Sequence, residues 1–161
     1  RIKRELFVDA ACVRFLEDAE IERFGEMVLL KAYLERKRED IRRWNEALGE
    51  PGKLPVNRRR QTNIGAFRAY AEAYLKAHPD VHDTMTRMVR MRDPGPQGIP
   101  LEVYCFTNTV VWLDYERIQG DIFDHLIAIL PAFGLRPFQQ PSGGDVREGV
   151  AALRRPDVAV V

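Results

Sequence analysis

The chain has 161 residues, of which 45% are hydrophobic and 30% are charged, which is the composition of a folded globular protein. Its 25 Lys and Arg residues nearly balance its 24 Asp and Glu residues, so the formal charge is only +1. This balance argues against a protein whose main task is to coat nucleic acid. No run approaches the roughly 20 apolar residues of a membrane span, and the basic start leads into too short an apolar run for a signal peptide.

The first part of the sequence predicts a strand followed by helix. Residues 5–8 and 12–15, separated by a short interruption, indicate a strand pair or one kinked strand. Asp18 is predicted to cap a long amphipathic helix, or two helices broken near Lys31, which ends at residues 49–51.

A loop and a second helix follow. Residues 50–60 contain two prolines and end in three consecutive arginines, which predicts a loop. Asn63 is then expected to cap a helix that stops before Pro79. The apolar side chains of this helix lie on one face and are expected to form core: Phe67, Tyr70, Ala71, Tyr74 and Leu75.

The second half changes to strand patterns. Residues 85–91 and 99–106 each predict a strand, and the Pro- and Gly-rich residues 93–98 between them predict a hairpin turn. Residues 110–112 are expected to carry the apolar run onward. The two cysteines lie in apolar runs of this strand-like kind, and we expect two buried free thiols in a reducing compartment.

From about Asp114 the apolar spacing becomes helical, and Gly134 is the expected helix-ending glycine. Residues 136–140 are then expected to supply a short final strand. The resulting order, βαββαβ, predicts an α+β fold of the ferredoxin-like type, with helices on one face of a single sheet. The helical residues 18–78 exceed what this plan needs, and we interpret the surplus as an insertion.

We expect one α/β domain over residues 1–141, with a linker and tail of uncertain structure over residues 142–161. Residues 141–144, Pro-Ser-Gly-Gly, are typical of a linker.

Two groups of residues could carry metal or acid–base chemistry. His78 and His82 are four apart, but Pro79 between them breaks the helical register, so a surface turn is the better interpretation. Asp121 and His125 share a helix face with Asp124 close by; an acid–base pair is possible there, but a salt bridge on a solvated face is the more usual outcome.

Two other patterns could bind phosphate. The Arg58–Arg59–Arg60 run, with Arg42 and Arg43 before it, could contact nucleic acid or lipid, yet solvated side chains, or pairing with nearby acids such as Glu46 and Glu50, are the simpler expectation. The prolines of residues 93–100 remove the N–H donors that a phosphate-cradling loop needs. We therefore predict no catalytic, cofactor-binding or metal-binding residues, no cofactor and no nucleic-acid partner.

Several long strings nevertheless resemble one protein family. In order and spacing they are similar to the cytoplasmic C-terminal region of the small-conductance mechanosensitive channel (MscS) family, and more closely to its YbdG-type, miniconductance branch. The resemblance covers about residues 1–147, and its strings are residues 60–70, 78–82, 100–109, 118–125, 133–136 and 139–143.

The resemblance implies one subunit of a homo-oligomeric channel, heptameric in well-known members, that opens under membrane tension and releases solutes on hypo-osmotic shock. This domain would lie on the cytoplasmic side of the bacterial inner membrane, in the wall of a vestibule under the pore. It would reach the membrane through upstream segments absent here, and Arg rather than Met at position 1 agrees with a piece of a longer protein. No enzymatic activity is implied, and the regions around Phe7, Trp112 and Phe138 are candidates for assembly.

Two alternatives belong to other classes. A free-standing cytosolic ferredoxin-like regulatory domain that binds a small ligand is suggested by fold-level analogy alone. A hydrolase that uses Asp121 and His125 is the more remote alternative.

Overall fold

The computed structural model describes residues 1–153, which form three strands and five α-helices. Short 3-10 turns at residues 10–12, 50–53, 55–57 and 130–133 connect some of them. In chain order the elements are β1 (Ile2–Val8), α1 (Asp18–Gly25), α2 (Lys31–Ala47), α3 (Asn63–Ala77), β2 (Met88–Met91), β3 (Ile99–Cys105), α4 (Trp112–Ile129) and α5 (Gly143–Leu153).

The strands form one antiparallel sheet in the order β1-β3-β2, which confirms the α+β fold class. In the register of the central pair, Ile2 lies opposite Cys105 and Val8 opposite Ile99. The predicted hairpin turn is confirmed by mutual backbone hydrogen bonds of 2.9 Å between Gly95 and Gly98. Gly98 has φ of +82°, and a Cβ there would collide with the carbonyl oxygen of Val8. Only glycine suits this position.

The predicted fourth strand over residues 136–140 is wrong. The chain passes the free edge of β1 there but forms only a bridge between Val8 and Pro137, beside a 2.8 Å hydrogen bond from the Phe138 N–H to the Phe7 carbonyl. A second hydrogen bond, from the Asp9 N–H to the Arg136 carbonyl at 3.1 Å, completes this bridge, and Pro137 itself, which has no N–H, contributes no bond to it. The segment still lies where a βαββαβ sheet has its fourth strand, next to β1 on the side away from β3.

Of the two alternatives predicted for the first helical segment, the structure has the second: two helices, α1 and α2, separated just before Lys31. The expected cap is wrong by one residue. Glu17 is the N-cap, and the Glu20 carboxylate accepts its backbone N–H at 3.1 Å. Asp18 is the first helical residue, where its negative charge interacts favourably with the helix dipole.

The expected cap of α3 is also displaced by one residue. The Thr62 hydroxyl accepts the N–H of Gly65 at 3.1 Å, and Asn63 is the first helical residue. Asn63 is fully buried, where its Oδ1 accepts the backbone N–H of Arg14 at 3.0 Å and its Nδ2 donates to the Cys12 carbonyl at 2.9 Å. The Asn63 side chain therefore ties the loop after β1 to the start of α3.

Three further boundaries differ from the expectation. β2 spans four residues instead of residues 85–91, and α4 begins at Trp112, so residues 110–112 do not continue a strand. Gly134 has φ of +64° and ends the turn after α4, as predicted. Residues 143–153 form α5, within the segment expected to be linker and tail, and the expectation for residues 154–161 lies outside the described residues. The boundary at residue 141 stays a prediction.

The core is centred on Phe133, whose side chain is fully buried. Its ring lies 5.0 Å from that of Phe24 on α1, 5.5 Å from Phe67 and 5.4 Å from Tyr70 on α3. Such tilted and edge-on pairs contribute about 0.5–1.5 kcal/mol beyond burial of their area. Around them pack the buried side chains of the inner sheet face and the helices, among them Ile2, Val8, Leu30, Leu75, Leu101, Val103, Ile122, Leu126 and Leu130.

Both cysteines are free thiols. Cys105 is buried in β3, and burial raises the pKa of its thiol to about 11. Cys12 is only half-buried, and its Sγ donates to the Asp9 carbonyl at 2.8 Å. The expectation of two buried thiols therefore holds for Cys105 alone. Across residues 1–153, no helix is at once long enough and apolar enough to cross a membrane.

Replacement of Phe133 by alanine is expected to destabilise the domain by about 3–5 kcal/mol, because it leaves a cavity among three aromatic rings. Urea unfolding followed by circular dichroism measures this loss. The matched control is Phe15→Ala, whose side chain is half exposed and whose loss should be less than half as large. Equal losses would contradict the central place of Phe133 in the core.

The free energy of unfolding should also decrease at low pH, because protonation of Glu20 removes a stabilising contact. Hydrogen bonds of 2.7 Å from the Arg14 guanidinium to both carboxylate oxygens, with the Glu17 N–H, lower the pKa of Glu20 from 4.5 to about 2. A carboxylate with a lowered pKa stabilises the fold above pH 4.5, and this contribution is lost between about pH 4.5 and pH 2. Denaturation at a series of pH values should show a shallower decline for Glu20→Gln than for the parent. An unchanged slope would contradict the assignment.

Candidate functional site

Four consecutive apolar side chains stand exposed where β3 gives way to α4. The exposed fractions are 102% for Val110, 55% for Val111, 70% for Trp112 and 73% for Leu113. We call these four residues the α4 apolar surface. Single exposed apolar residues are ordinary, but a contiguous group of this size commonly marks an interaction site.

Local hydrogen bonds fix the turn that presents this surface. The Thr107 hydroxyl donates to the Thr109 carbonyl at 3.0 Å, and the Thr109 hydroxyl accepts the N–H of Val111 at 3.1 Å. The Val111 carbonyl then accepts the N–H of Tyr115 at 2.9 Å, which starts α4. Thr109 thus fixes the backbone up to Val111, which is extended, just before α4 begins.

The periodicity of α4 explains why its first residues face outward. Ile118, Ile122 and Leu126 form its buried stripe, and Trp112 and Leu113 fall outside it. The Trp112 indole N–H donates to Glu116 at 3.2 Å on the same exposed side of the helix.

Hydrogen bonds also fix the backbone on either side of the α4 apolar surface. Asn108 donates its backbone N–H to the Asp80 carbonyl at 2.9 Å and its side-chain N–H to the Pro79 carbonyl at 3.0 Å. The Tyr115 hydroxyl donates to the carbonyl of Arg1 at 2.9 Å. These bonds join the start of α4 to the loop after α3 and to the start of β1, so the apolar side chains are presented by fixed backbone.

The two histidines of the sequence motif lie apart from any metal-binding group. His78 caps the end of α3 and accepts the backbone N–H of Asp80 on Nδ1 at 3.2 Å, while Nδ1 of His82 lies 3.4 Å from the N–H of Thr84. Within residues 1–153, no three His, Cys, Asp or Glu side chains are arranged to hold a metal ion. The surface-turn interpretation agrees with this geometry.

Asp121 and His125 have different partners. Asp121 forms a 3.2 Å ion pair with Arg117, as expected of a solvated helix face. His125 Nε2 lies 2.8 Å from the Tyr70 hydroxyl, and its ring stacks on Tyr74 at 4.2 Å. An imidazole held between tyrosines is a packing element here, and no hydrogen bond joins it to Asp121.

The three consecutive arginines do not pair with the acids that we expected. Arg60 lies 3.3 Å from Glu17, and Arg59 lies over the Trp44 ring at 5.3 Å. The expected partners are engaged elsewhere, because each has a cation one helical turn or less away: Glu46 binds Arg42 and Glu50 binds Lys53, both at 2.7 Å.

Of the three regions predicted for assembly, Trp112 is the most exposed. Phe7 and Phe138 are half-buried and line a shallow groove beside the hairpin turn, with Gln97 and Gln140. Sequence reasoning assigned Val110 and Val111 to a continuing strand and did not single out Leu113. The signal available was the polar run of residues 107–109, which separates them from β3.

Comparison with known proteins bears on the region that holds this surface. Residues 62–136 match the family model described as "Mechanosensitive ion channel MscS, C-terminal". The chain is 30% identical over 96 residues to the low conductance mechanosensitive channel YnaI of Escherichia coli strain K12. That match covers 52% of the chain and 27% of YnaI, so the chain spans about a quarter of the length of this relative.

If the α4 apolar surface exists for a partner, its residues should add little to the stability of the single chain. Trp112→Ala is expected to change the free energy of unfolding by less than about 0.5 kcal/mol. Ile118→Ala, at a buried position of the same helix, should cost about 2–5 kcal/mol. Urea titration of both variants measures the difference, and a large loss for Trp112→Ala would make that residue part of the core.

Proposed function

Because the chain carries a C-terminal domain of the MscS mechanosensitive channel family, we propose that it forms part of the wall of a cytoplasmic vestibule below a channel pore. The resemblance noted in the sequence is confirmed at the level of the family, and its YbdG-type branch stays a prediction. The whole channel is proposed to lie in the bacterial inner membrane, to open under membrane tension and to release solutes on hypo-osmotic shock.

The observation that carries the proposal is the α4 apolar surface inside the matched residues 62–136. A vestibule wall requires each copy of the domain to contact the next through a fixed surface. Four exposed apolar side chains on braced backbone meet that requirement. The formal charge of +1 also supports close packing of copies, since it leaves little net repulsion between them.

In this role the domain acts by assembly and shape, and we propose no enzymatic activity for it. Self-association into a ring, with the heptamer as the specific proposal, would bury the α4 apolar surface of each copy against a neighbour. The elements that brace this surface, β1 and the loop after α3, would then transmit force between neighbouring copies and the rest of the channel.

The test uses the full-length protein, with its upstream segments, in membrane patches under suction. The parent is expected to open below the tension that ruptures the membrane. The double variant Val110→Glu/Leu113→Glu places two carboxylates per copy in the proposed contact. The number of active channels per patch, and the amount of oligomer captured by chemical cross-linking in the membrane, should both fall at least tenfold.

The matched control is Val28→Glu/Leu54→Glu, which makes the same replacements at exposed positions outside the matched region. It should keep the parent's currents. Silence of the inserted parent at tensions near rupture would overturn the channel function itself. Parental currents and cross-linking in the Val110→Glu/Leu113→Glu variant would overturn only the role of the surface.

A further inference from the structure

A basic cavity is lined by residues of the first part of the chain, between Leu16 and Gln61, which precede the matched family region and the α4 apolar surface. It has a volume of about 410 Å³ and opens between the start of α1, the middle of α2 and the loop that precedes α3. We call it the arginine cavity, and the residues that give it its chemistry are Arg38, Asn45, Arg58, Arg59, Arg60 and Gln61.

The charges of the cavity do not cancel. Its lining holds four arginines against two acids, Glu17 and Asp18. Arg60 is partly neutralised by Glu17 at 3.3 Å. Within residues 1–153, Arg38 and Arg58 form no ion pair and no side-chain hydrogen bond, so two guanidinium groups line one cavity with their donors unused.

Specific bonds fix the backbone of the loop that carries three of these arginines. The Asn45 side chain accepts the backbone N–H of Arg59 at 2.9 Å and donates to its carbonyl at 3.1 Å. This pair of bonds fixes the loop against α2. Bringing like charges together costs free energy, and a chain that fixes them in place is prepared for an anion.

A second, independent observation also points to a ligand. Gln61 lines the cavity with only 8% of its surface exposed, and its Oε1 has no hydrogen-bond partner among the described residues. A buried carbonyl oxygen without a donor is unfavourable, and a turn of the Gln61 amide toward the cavity would let a hydroxyl group of a bound molecule satisfy it.

We propose that the arginine cavity binds a small phosphorylated molecule, with Arg38 and Arg58 on the phosphate oxygens and Gln61 accepting a hydroxyl of the attached group. Planar guanidinium groups match phosphate geometry with paired hydrogen bonds. A volume of about 410 Å³ is that of a typical small-molecule site, and the hydroxylated group can be a sugar or a lipid headgroup.

Isothermal titration calorimetry of the 161-residue chain tests this with three probes: pyrophosphate, ribose 5-phosphate and neutral ribose. We expect both phosphates to bind and ribose not to bind. The variant Arg38→Gln/Arg58→Gln should weaken both phosphates at least tenfold, and Gln61→Ala should weaken ribose 5-phosphate while leaving pyrophosphate within twofold. The control Arg43→Gln removes a charge from the solvent side of α2, where Arg43 pairs with Glu39, and should change neither affinity beyond twofold.

Sedimentation with vesicles distinguishes the two sources of phosphate. Binding to phosphatidylglycerol but not to phosphatidylcholine vesicles, lost in Arg38→Gln/Arg58→Gln and kept in Arg43→Gln, would support a lipid headgroup as the occupant. Binding of the soluble phosphates with the same dependence would support a free metabolite. The proposal is overturned if neither source binds, or if Arg43→Gln weakens binding as much as Arg38→Gln/Arg58→Gln does, with melting temperatures unchanged.

Discussion

The packing of Phe133 against three other aromatic rings is the interaction on which the rest of the structure depends. Phe133 belongs to the turn after α4, while its partners Phe24, Phe67 and Tyr70 belong to α1 and α3. One side chain thus joins the turn after α4 to residues of α1 and α3 that each precede it by more than sixty positions. Because these contacts hold α1 and α3, they also hold the loops and α2 between them, including the walls of the arginine cavity.

Much of this could be predicted from sequence because it depends on local rules. The glycine at residue 134 and the hairpin at residues 93–98 follow from helix-end and turn residues, and both are found. The helix break near Lys31, one of two alternatives that the apolar spacing left open, is also found. The displaced caps have a different cause. Thr62 and Asn63 can both cap a helix, and only the distant Arg14 and Cys12 backbone decides that Asn63 is used for a tertiary contact.

The candidate site was less predictable because it also depends on contacts between distant parts of the chain. Val110 and Val111 have strong strand preferences, and nothing in their own composition shows that β3 ends at Cys105 and that these two residues lie outside the sheet. Likewise Glu46 and Glu50 lie near Arg58–Arg60 in the sequence and were expected to pair with them. In space each acid lies closer to another cation about one helical turn away: Arg42 binds Glu46, and Lys53 binds Glu50. Charge pairing and exposure are properties of the assembled surface.

The interrupted fourth strand has a consequence for how copies of the chain meet. Among residues 1–153, no strand pairs with most of the outer edge of β1, and an open edge invites uncontrolled pairing with another sheet. This edge is protected by Lys3, Arg4 and Glu5, which are exposed, and by Pro137 beside it. The isolated chain is therefore guarded against aggregation through its sheet, and the contact that we propose between copies depends on side chains instead of on the backbone.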